Sequence, residues 1–287
     1  KNVFYYLQNI NLKCIYHLSL RGGYHIATAK IFISHGVTYP NFWNLNNNAI
    51  KINLWHGSGP RSTNAGAEKI LGKHNNLLTS NEIINRINKW DYFVFPSNQI
   101  SILQGKFCFN LEQKKRLVMG LPRCDHFFNK NQINLAFKNK ILLKKIFQHE
   151  KTYEYILYCP TWRQNFNLSS SPFLTDNLND LDKLNKELNI SGKFFIFSEH
   201  KQALKKINLK KYSNIAKLDL PIDISINDIL PEITIIMTDY SSILTDFLLV
   251  IDSYNISATS ISCIMPDLSH SPVKLSQIAV SVAPTSA

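Results

Sequence analysis

The alternation of short apolar runs with longer lysine-rich amphipathic stretches constrains the fold of this chain most. The apolar runs are typical of buried strands and lie at residues 3–7, 29–34, 50–55, 92–95, 117–119, 155–158, 194–198 and 233–238. The amphipathic stretches predict helices at residues 80–89, 131–147, 180–188 and 242–250. Strands that alternate with helices predict parallel sheets with helices on both faces, so an α/β fold is expected.

The order of these segments suggests a division of the chain. A strand ends in turn residues at 120–123, and a lysine-rich helical stretch follows. We therefore predict one domain over residues 1–122 and a second over 123–251. Residues 164–179 are expected to form a loop. From residue 252 to 287 the chain is rich in serine, threonine and proline, and we expect a divergent tail without regular structure.

Charge and cysteine content limit the function classes. Lys and Arg number 32 against 20 Asp and Glu, a net charge of +12, which attracts nucleic acid, anionic lipid or a phosphate-rich substrate. The five cysteines are scattered and include no CxxC pair, so neither a disulfide framework nor a zinc site is expected and a reducing cytosol fits best. We find neither a signal peptide nor an apolar run near the ~20 residues of a spanning helix.

Two strand ends carry residues suited to proton transfer and phosphate binding. His56 follows the strand at 50–55 and precedes Gly57, which allows close approach of a ligand. A histidine there could act as a general base or simply cap the strand end. Thr161 and Arg163 follow the strand at 155–158. The arginine could bind phosphate oxygens or pack as a surface residue.

Two further strand ends are polar. His200 follows the strand at 194–198 and could be a ligand, an acid or a structural histidine. Ser241 and Ser242 begin the helix predicted after the strand at 233–238. A helix start has free N–H groups and a positive dipole end, which suit an anion, although a serine there is also an ordinary N-cap. These residues alone do not identify a reaction.

The order and spacing of five segments match those of a known family. The segments are LWHG, GLPRCD, ILYCPTWR, the strand that ends in His200, and TDYSSILTDF. Over roughly residues 1–250 the chain resembles the CDP-glycerol glycerophosphotransferase family. That family is similar to GT-B transferases, in which two Rossmann-like domains bind the donor nucleotide between them. The resemblance implies a GT-B-like fold that is incomplete here at both ends.

The resemblance also implies roles for single residues. His56 matches the general base of the family, and His200 matches a histidine near the donor diphosphate. Donor-binding roles are implied for Gly57, Thr161, Arg163, Ser241, Ser242 and Asp246. Arg123 and Asp125 match an interdomain turn and could also contact ligand, as could Arg61, which stands where lysine is common. Lys201 stands where proline is usual, so the loop at His200 could differ from that of the family.

The implied reaction transfers glycerol phosphate from CDP-glycerol to a polyol-phosphate or lipid-linked acceptor and releases CMP. It would serve synthesis of teichoic acid, and so of the cell wall, or of a capsule polymer. No cofactor is implied, and we expect no metal, since Asp239 and Asp246 are the only carboxylate pair among the strand-end motifs. The enzyme would lie on the inner face of a bacterial plasma membrane, as a cytoplasmic, peripheral protein bound to anionic lipid.

Other functions remain open at this stage. A CDP-ribitol or nucleotide-sugar donor offers the same diphosphate, so the motifs do not separate these donors. A basic nucleic-acid-binding protein would need a recognition motif that we do not find, so no nucleic-acid partner is expected. An inactive remnant is the third alternative, suggested by both ends of the sequence.

Overall fold

The computed structural model describes residues 2–35, 48–55, 80–129, 138–159, 178–198, 209–238, 241–254, 260–265 and 276–280. The chain forms two compact units, Lys1–Pro122 and Arg123–Ala287.

The first unit contains a four-stranded parallel sheet. Its strands are β1 (Ile31–Ser34), β2 (Ile50–Asn53), β3 (Tyr92–Phe95) and β4 (Arg116–Val118), in the spatial order β1-β2-β3-β4. The helices are α1 (Asn2–Asn9), α2 (Leu20–Thr28), α3 (Ser80–Asn88) and the short α4 (Asn98–Ile100). A 3₁₀ turn, Gln113–Lys115, leads into β4.

A π-helix, Ser101–Cys108, continues directly from α4 in the first unit. Its residues Gln104, Gly105 and Cys108 are buried. It lies beside an aromatic core whose fully buried members include Trp90, Phe93, Phe95 and Phe109. Large aromatic side chains bury much apolar area each, so this small sheet acquires a core chiefly from them.

The second unit contains a six-stranded sheet in the order β10-β9-β8-β5-β6-β7. Its strands are β5 (Glu154–Cys159), β6 (Lys193–Phe197), β7 (Ile215–Lys217), β8 (Ile233–Thr238), β9 (Ser260–Met265) and β10 (Ser276–Val280). Strands β5 to β9 pair in parallel, and β10 pairs antiparallel to β9 at the edge. Its helices are α5 (Ile141–Phe147), α6 (Leu178–Ile190), α7 (Ile226–Ile229) and α8 (Ile243–Tyr254), with 3₁₀ turns at Pro122–Phe128 and Leu230–Glu232.

The central strands of this sheet are apolar on both faces. Residues 155–159 of β5 and 194–197 of β6 are all buried, as expected for parallel strands covered on two sides. Leu181 and Leu188 of α6 pack with Ile156, Tyr158 and other β5 and β6 side chains on one face. The continuous apolar runs read from the sequence therefore correspond to the central strands.

Two expectations from the sequence were wrong. Residues 3–7 belong to α1, not to a strand, because the identity of a short apolar run cannot be settled from its periodicity. The tail predicted at 252–287 to lack regular structure contains the end of α8 and strands β9 and β10. In β9, Ser260 and Ser262 alternate with Ile261 and Cys263. This period of two is typical of a strand, although the segment is rich in small polar residues.

None of the helices in the described part of the chain combines the length and the apolar character needed to cross a membrane.

Candidate active site

The strand order of the second unit contains a switch point. From β5 the chain proceeds to β6 and β7 on one side, then returns to β8 and β9 on the other. The order reverses between β5 and β8, and in open α/β sheets ligands bind outside the carboxyl ends of the strands at such a switch point. Parallel neighbours lie about 4.8 Å apart, so the ends of β8, β5 and β6 together span roughly 10 Å.

The ends of β5 and β8 are in register and joined by a side chain. Cys159, the last residue of β5, pairs with Thr238, the last residue of β8. The Thr238 hydroxyl is buried and donates a hydrogen bond of 2.6 Å to the Cys159 carbonyl oxygen. On the other side of β5, the Ser198 N–H after β6 donates to the Tyr158 carbonyl oxygen at 2.9 Å. The three strand ends are thereby held as one edge.

The sequence-predicted donor-binding residues follow these ends. Thr161 and Arg163 come after β5, and His200 comes after β6, but all three lie outside the described residues. His56, Gly57 and Arg61 also lie outside them, after β2 of the first unit. The structure therefore fixes where the segments carrying these side chains begin.

Ser241 and Ser242 stand directly before α8 and are half-buried. The Ser241 Oγ accepts a hydrogen bond from the Ile243 N–H at 3.5 Å. The Ser242 carbonyl oxygen accepts bonds from the Thr245 N–H at 3.1 Å and from the Thr245 hydroxyl at 2.6 Å. Both serines thus form the first turn of a helix whose dipole favours an anion at this end.

Asp246 lies one turn further along α8 and is buried. Its Oδ2 accepts bonds from Arg123 Nε at 2.9 Å and Asn227 Nδ2 at 3.2 Å. Its Oδ1 accepts bonds from Arg123 Nη2 at 3.1 Å and the Cys124 thiol at 3.5 Å. Four donors within the second unit therefore occupy both carboxylate oxygens. This geometry supports a positioning role for Asp246 rather than direct contact with the donor.

Of the turn residues at the start of the second unit, Arg123 serves this network, whereas Asp125 is exposed. Sequence reasoning missed Asn227, which no motif marks. It follows Ser225, whose hydroxyl accepts from the Asp228 N–H in a capping box that starts α7. The sequence Ser-Ile-Asn-Asp signals that helix start, but the reach from α7 to α8 is a tertiary contact without a local pattern.

The buried thiols of the second unit are poor nucleophiles. Burial raises the pKa of Cys159 to about 12. Burial, together with the nearby Asp246 charge, raises the pKa of Cys124 to about 12. The thiolate is the reactive form, so neither cysteine suits covalent catalysis near neutral pH. In the described segments, no group of three or more His, Cys, Asp or Glu side chains could hold a metal ion.

Comparison with known proteins identifies the family of this chain. The family model of CDP-glycerol:poly(glycerophosphate) glycerophosphotransferases matches residues 7–251. A teichoic acid poly(glycerol phosphate) polymerase of Bacillus spizizenii is 26% identical over 246 residues, covering 83% of this chain and 59% of that protein. One from Staphylococcus epidermidis is 27% identical over 225 residues, covering 76% of this chain and 30% of that protein.

A teichoic acid ribitol-phosphate primase of Bacillus spizizenii is also similar, at 23% identity over 230 residues, with 79% of this chain and 56% of that protein covered. Among solved structures, the wall teichoic acid polymerase TagF matches with a TM-score of 0.66 at 21% identity, over 86% of this chain and 64% of that one. That likeness shows the fold and confirms the predicted GT-B-like α/β class. The chain spans 59% of the length of the first of these polymerases. By its match over residues 7–251, this chain belongs to the CDP-glycerol:poly(glycerophosphate) glycerophosphotransferase family.

Proposed function

We propose that this chain carries the transferase site that moves glycerol phosphate from CDP-glycerol to a polyol-phosphate acceptor. The observation that carries the proposal is the switch point between β5 and β8, with β6 alongside. It brings together the beginnings of the three segments that bear Thr161 and Arg163, His200, and Ser241 with Ser242. The family match over residues 7–251 supports the same reading.

The proposed donor site binds the diphosphate of CDP-glycerol through positive groups. The N-terminus of α8 supplies backbone N–H groups and the positive end of the helix dipole. Arg163 supplies a planar guanidinium that matches phosphate oxygens in a bidentate manner. His200 and Thr161 would add hydrogen bonds from the neighbouring segments. Donor-binding roles for Gly57 and Arg61 of the first unit stay predictions from the family resemblance.

The proposed chemistry is displacement at phosphorus. A hydroxyl of the acceptor attacks the glycerol-bearing phosphorus, a new P–O bond forms, and the P–O bond to CMP breaks. His56 takes the hydroxyl proton as general base, since an alcohol is a poor nucleophile at neutral pH. Negative charge grows on the departing CMP phosphate. Arg163, His200 and the α8 terminus would stabilise that charge, and one such preorganised donor typically contributes ~3–4 kcal/mol.

Donor identity is the first point to test. Relatives of this chain include both poly(glycerol phosphate) and ribitol-phosphate enzymes, so CDP-ribitol is the second candidate donor. Release of CMP should be measured with CDP-glycerol and with CDP-ribitol, and release of UDP or UMP with a UDP-sugar, each with a polyol-phosphate acceptor. We expect turnover with CDP-glycerol that exceeds turnover with the other two. Higher turnover with CDP-ribitol than with CDP-glycerol would identify CDP-ribitol as the donor. Turnover with the UDP-sugar alone would refute the proposal that a polyol phosphate is transferred.

We further propose that the polymer is a teichoic acid of the cell wall or a capsule polymer. The acceptor would be lipid-linked, and the protein would act as a peripheral protein on the cytoplasmic face of the membrane. The net charge of +12 supports attraction to anionic lipid. Each basic residue near such a surface contributes ~1 kcal/mol. Vesicles with anionic lipid should sediment the protein in low salt and release it in high salt. Binding that persists in high salt would contradict an electrostatic attachment.

A further inference from the structure

The turn that leads into His56 contains an unusual backbone conformation. Trp55, the last described residue before His56, has a φ of 52°. Bulky L-residues rarely adopt this left-handed region. Such a conformation persists only where the surroundings enforce it, and it is often found at functional sites.

Contacts of the backbone, the indole N–H and the ring hold Trp55 in this conformation. Its backbone N–H donates to the Oδ1 of the fully buried Asn53 at 2.7 Å. Its indole Nε1–H donates to the Oε1 of Gln104 at 3.1 Å. Its ring packs edge-on against Phe109, with the ring centroids 5.0 Å apart. One residue earlier, the Leu54 N–H donates to the Ser34 carbonyl oxygen at 2.7 Å, which extends the pairing of β2 with β1.

Gln104 is itself held in place. It is 2% exposed and lies in the π-helix Ser101–Cys108, a kind of segment frequently found at functional sites. Its backbone carbonyl oxygen accepts from the Phe109 N–H at 2.9 Å. A polar side chain that is buried in an aromatic core destabilises the fold unless its polar atoms form hydrogen bonds. The π-helix therefore presents a fixed acceptor to the indole of Trp55.

We propose that Gln104 is a positioning residue for His56, acting through the indole of Trp55. His56 is bonded directly to Trp55, so the backbone angles of Trp55 set the direction in which the chain enters His56. A base must lie within hydrogen-bond reach of the proton it removes. Loss of the Gln104 contact lets Trp55 relax from the left-handed conformation and displaces the imidazole. This inference rests on the proposed role of His56.

The test uses two variants that remove the contact from either side. Trp55→Phe keeps an aromatic ring but deletes the indole donor, and Gln104→Met keeps the length of the side chain but deletes the acceptor. Each should lower kcat about ten- to hundredfold, because small displacements of a catalytic group cost that much. The KM for CDP-glycerol should stay within about twofold. The kcat of the double variant should be no lower than that of the more impaired single variant, because both substitutions remove the same hydrogen bond.

Trp90→Phe is the matched control. Trp90 is fully buried in the same aromatic cluster, but it is far from His56 in the sequence. Trp90→Phe makes the same chemical change as Trp55→Phe and should leave kcat near the wild-type value. If Trp90→Phe lowers kcat as much as Trp55→Phe, the effect is a general loss of packing and the inference fails. If Gln104→Met does not fold, the comparison of kcat between Trp55→Phe and Trp90→Phe still tests the inference.

A readout without turnover separates this inference from the proposed function. The imidazole Cε1–H resonance of His56, identified by its absence in His56→Ala, should move in Gln104→Met, which leaves the neighbouring indole ring in place, but not in Trp90→Phe. If His56→Ala keeps its turnover, the proposed base is wrong while the resonance shifts still test the structural link. If His56→Ala is inactive, Gln104→Met does not alter the resonance and neither Trp55→Phe nor Gln104→Met alters kcat, the inference alone is overturned.

Discussion

Replacing Asp246 by asparagine tests the buried network that anchors α8. The carboxylate accepts bonds from two nitrogens of Arg123, one of Asn227 and the Cys124 thiol. An asparagine offers one oxygen and one N–H₂ group, so its amide would face a donor of Arg123 or Asn227. Removal of one member of a buried ion pair typically costs 3–5 kcal/mol.

The Arg123 side chain is 30% exposed, so water can partly solvate the orphaned guanidinium. We therefore expect the lower end of that range, a loss of about 3 kcal/mol in the free energy of unfolding. For a unit of this size, that loss lowers the unfolding midpoint by roughly 6–12 °C. Scanning calorimetry and urea denaturation of the whole chain measure it.

Asp182→Asn is the matched control. It removes the same charge from an ion pair in the same unit, Lys211 with Asp182 at 3.1 Å, in which both side chains are more than half exposed. Exposed pairs contribute little, so its unfolding midpoint should stay at the wild-type value. If Asp246→Asn is as stable as Asp182→Asn, the network does not hold the helix as the geometry indicates.

Donor binding distinguishes positioning from direct contact. If Asp246 acts by holding α8, then Arg123→Met and Asp246→Asn should weaken CDP-glycerol binding by similar factors, and the double variant should add little. If Asp246 contacts the donor, Asp246→Asn should weaken binding well beyond Arg123→Met. Calorimetric titration with CDP-glycerol decides between the two results.

Three further predictions follow from the site and the core. Arg163→Ala should weaken CDP binding about ten- to hundredfold, since a charged hydrogen bond contributes ~1.5–3 kcal/mol, and unchanged affinity in calorimetry would remove it from the donor site. Burial lowers the pKa of Lys140 to about 8, so between about pH 8 and its ordinary 10.5 the unfolded chain binds a proton at this lysine that the folded chain does not, and the contribution of Lys140 to the free energy of unfolding should rise with pH. Lys140→Met should remove that contribution, so the difference in unfolding free energy between wild type and variant should change by at most about 3 kcal/mol over this range, and a difference in urea denaturation that does not change with pH would contradict it. Cys124 and Cys159 should resist iodoacetamide at pH 8, while the partly exposed Cys14 reacts, as peptide mapping by mass spectrometry would show.

The sequence predicted the central strands well because their apolar runs are long and buried on two sides. Strands β3, β5, β6 and β8 lie where those runs lie. Strand β7 (Ile215–Lys217) was missed, since it has three residues and no continuous apolar run. Strand β9 was missed because its serines suggested a tail, although its pairing with β8 depends on backbone groups that serine provides as well as any residue.

The candidate site was predicted in part. The rule that loops follow the carboxyl ends of parallel strands located the segments after β2, β5, β6 and β8. The sequence could not show that β8 lies beside β5, because strand order is a tertiary property. Nor could it show that Asn227 and Arg123 converge on Asp246, or that Gln104 reaches Trp55. Such contacts join residues far apart in the chain and have no local pattern.

Transfer of radiolabelled glycerol phosphate from CDP-glycerol to a polyol-phosphate acceptor, by wild type and His56→Ala, tests the central claim most directly. The account predicts transfer with stoichiometric release of CMP by wild type. It predicts that transfer by His56→Ala falls to background while CDP-glycerol still binds with near-wild-type affinity. Turnover in His56→Ala close to wild type would contradict the assignment of the general base, and absence of transfer by wild type would contradict the proposed function of this chain.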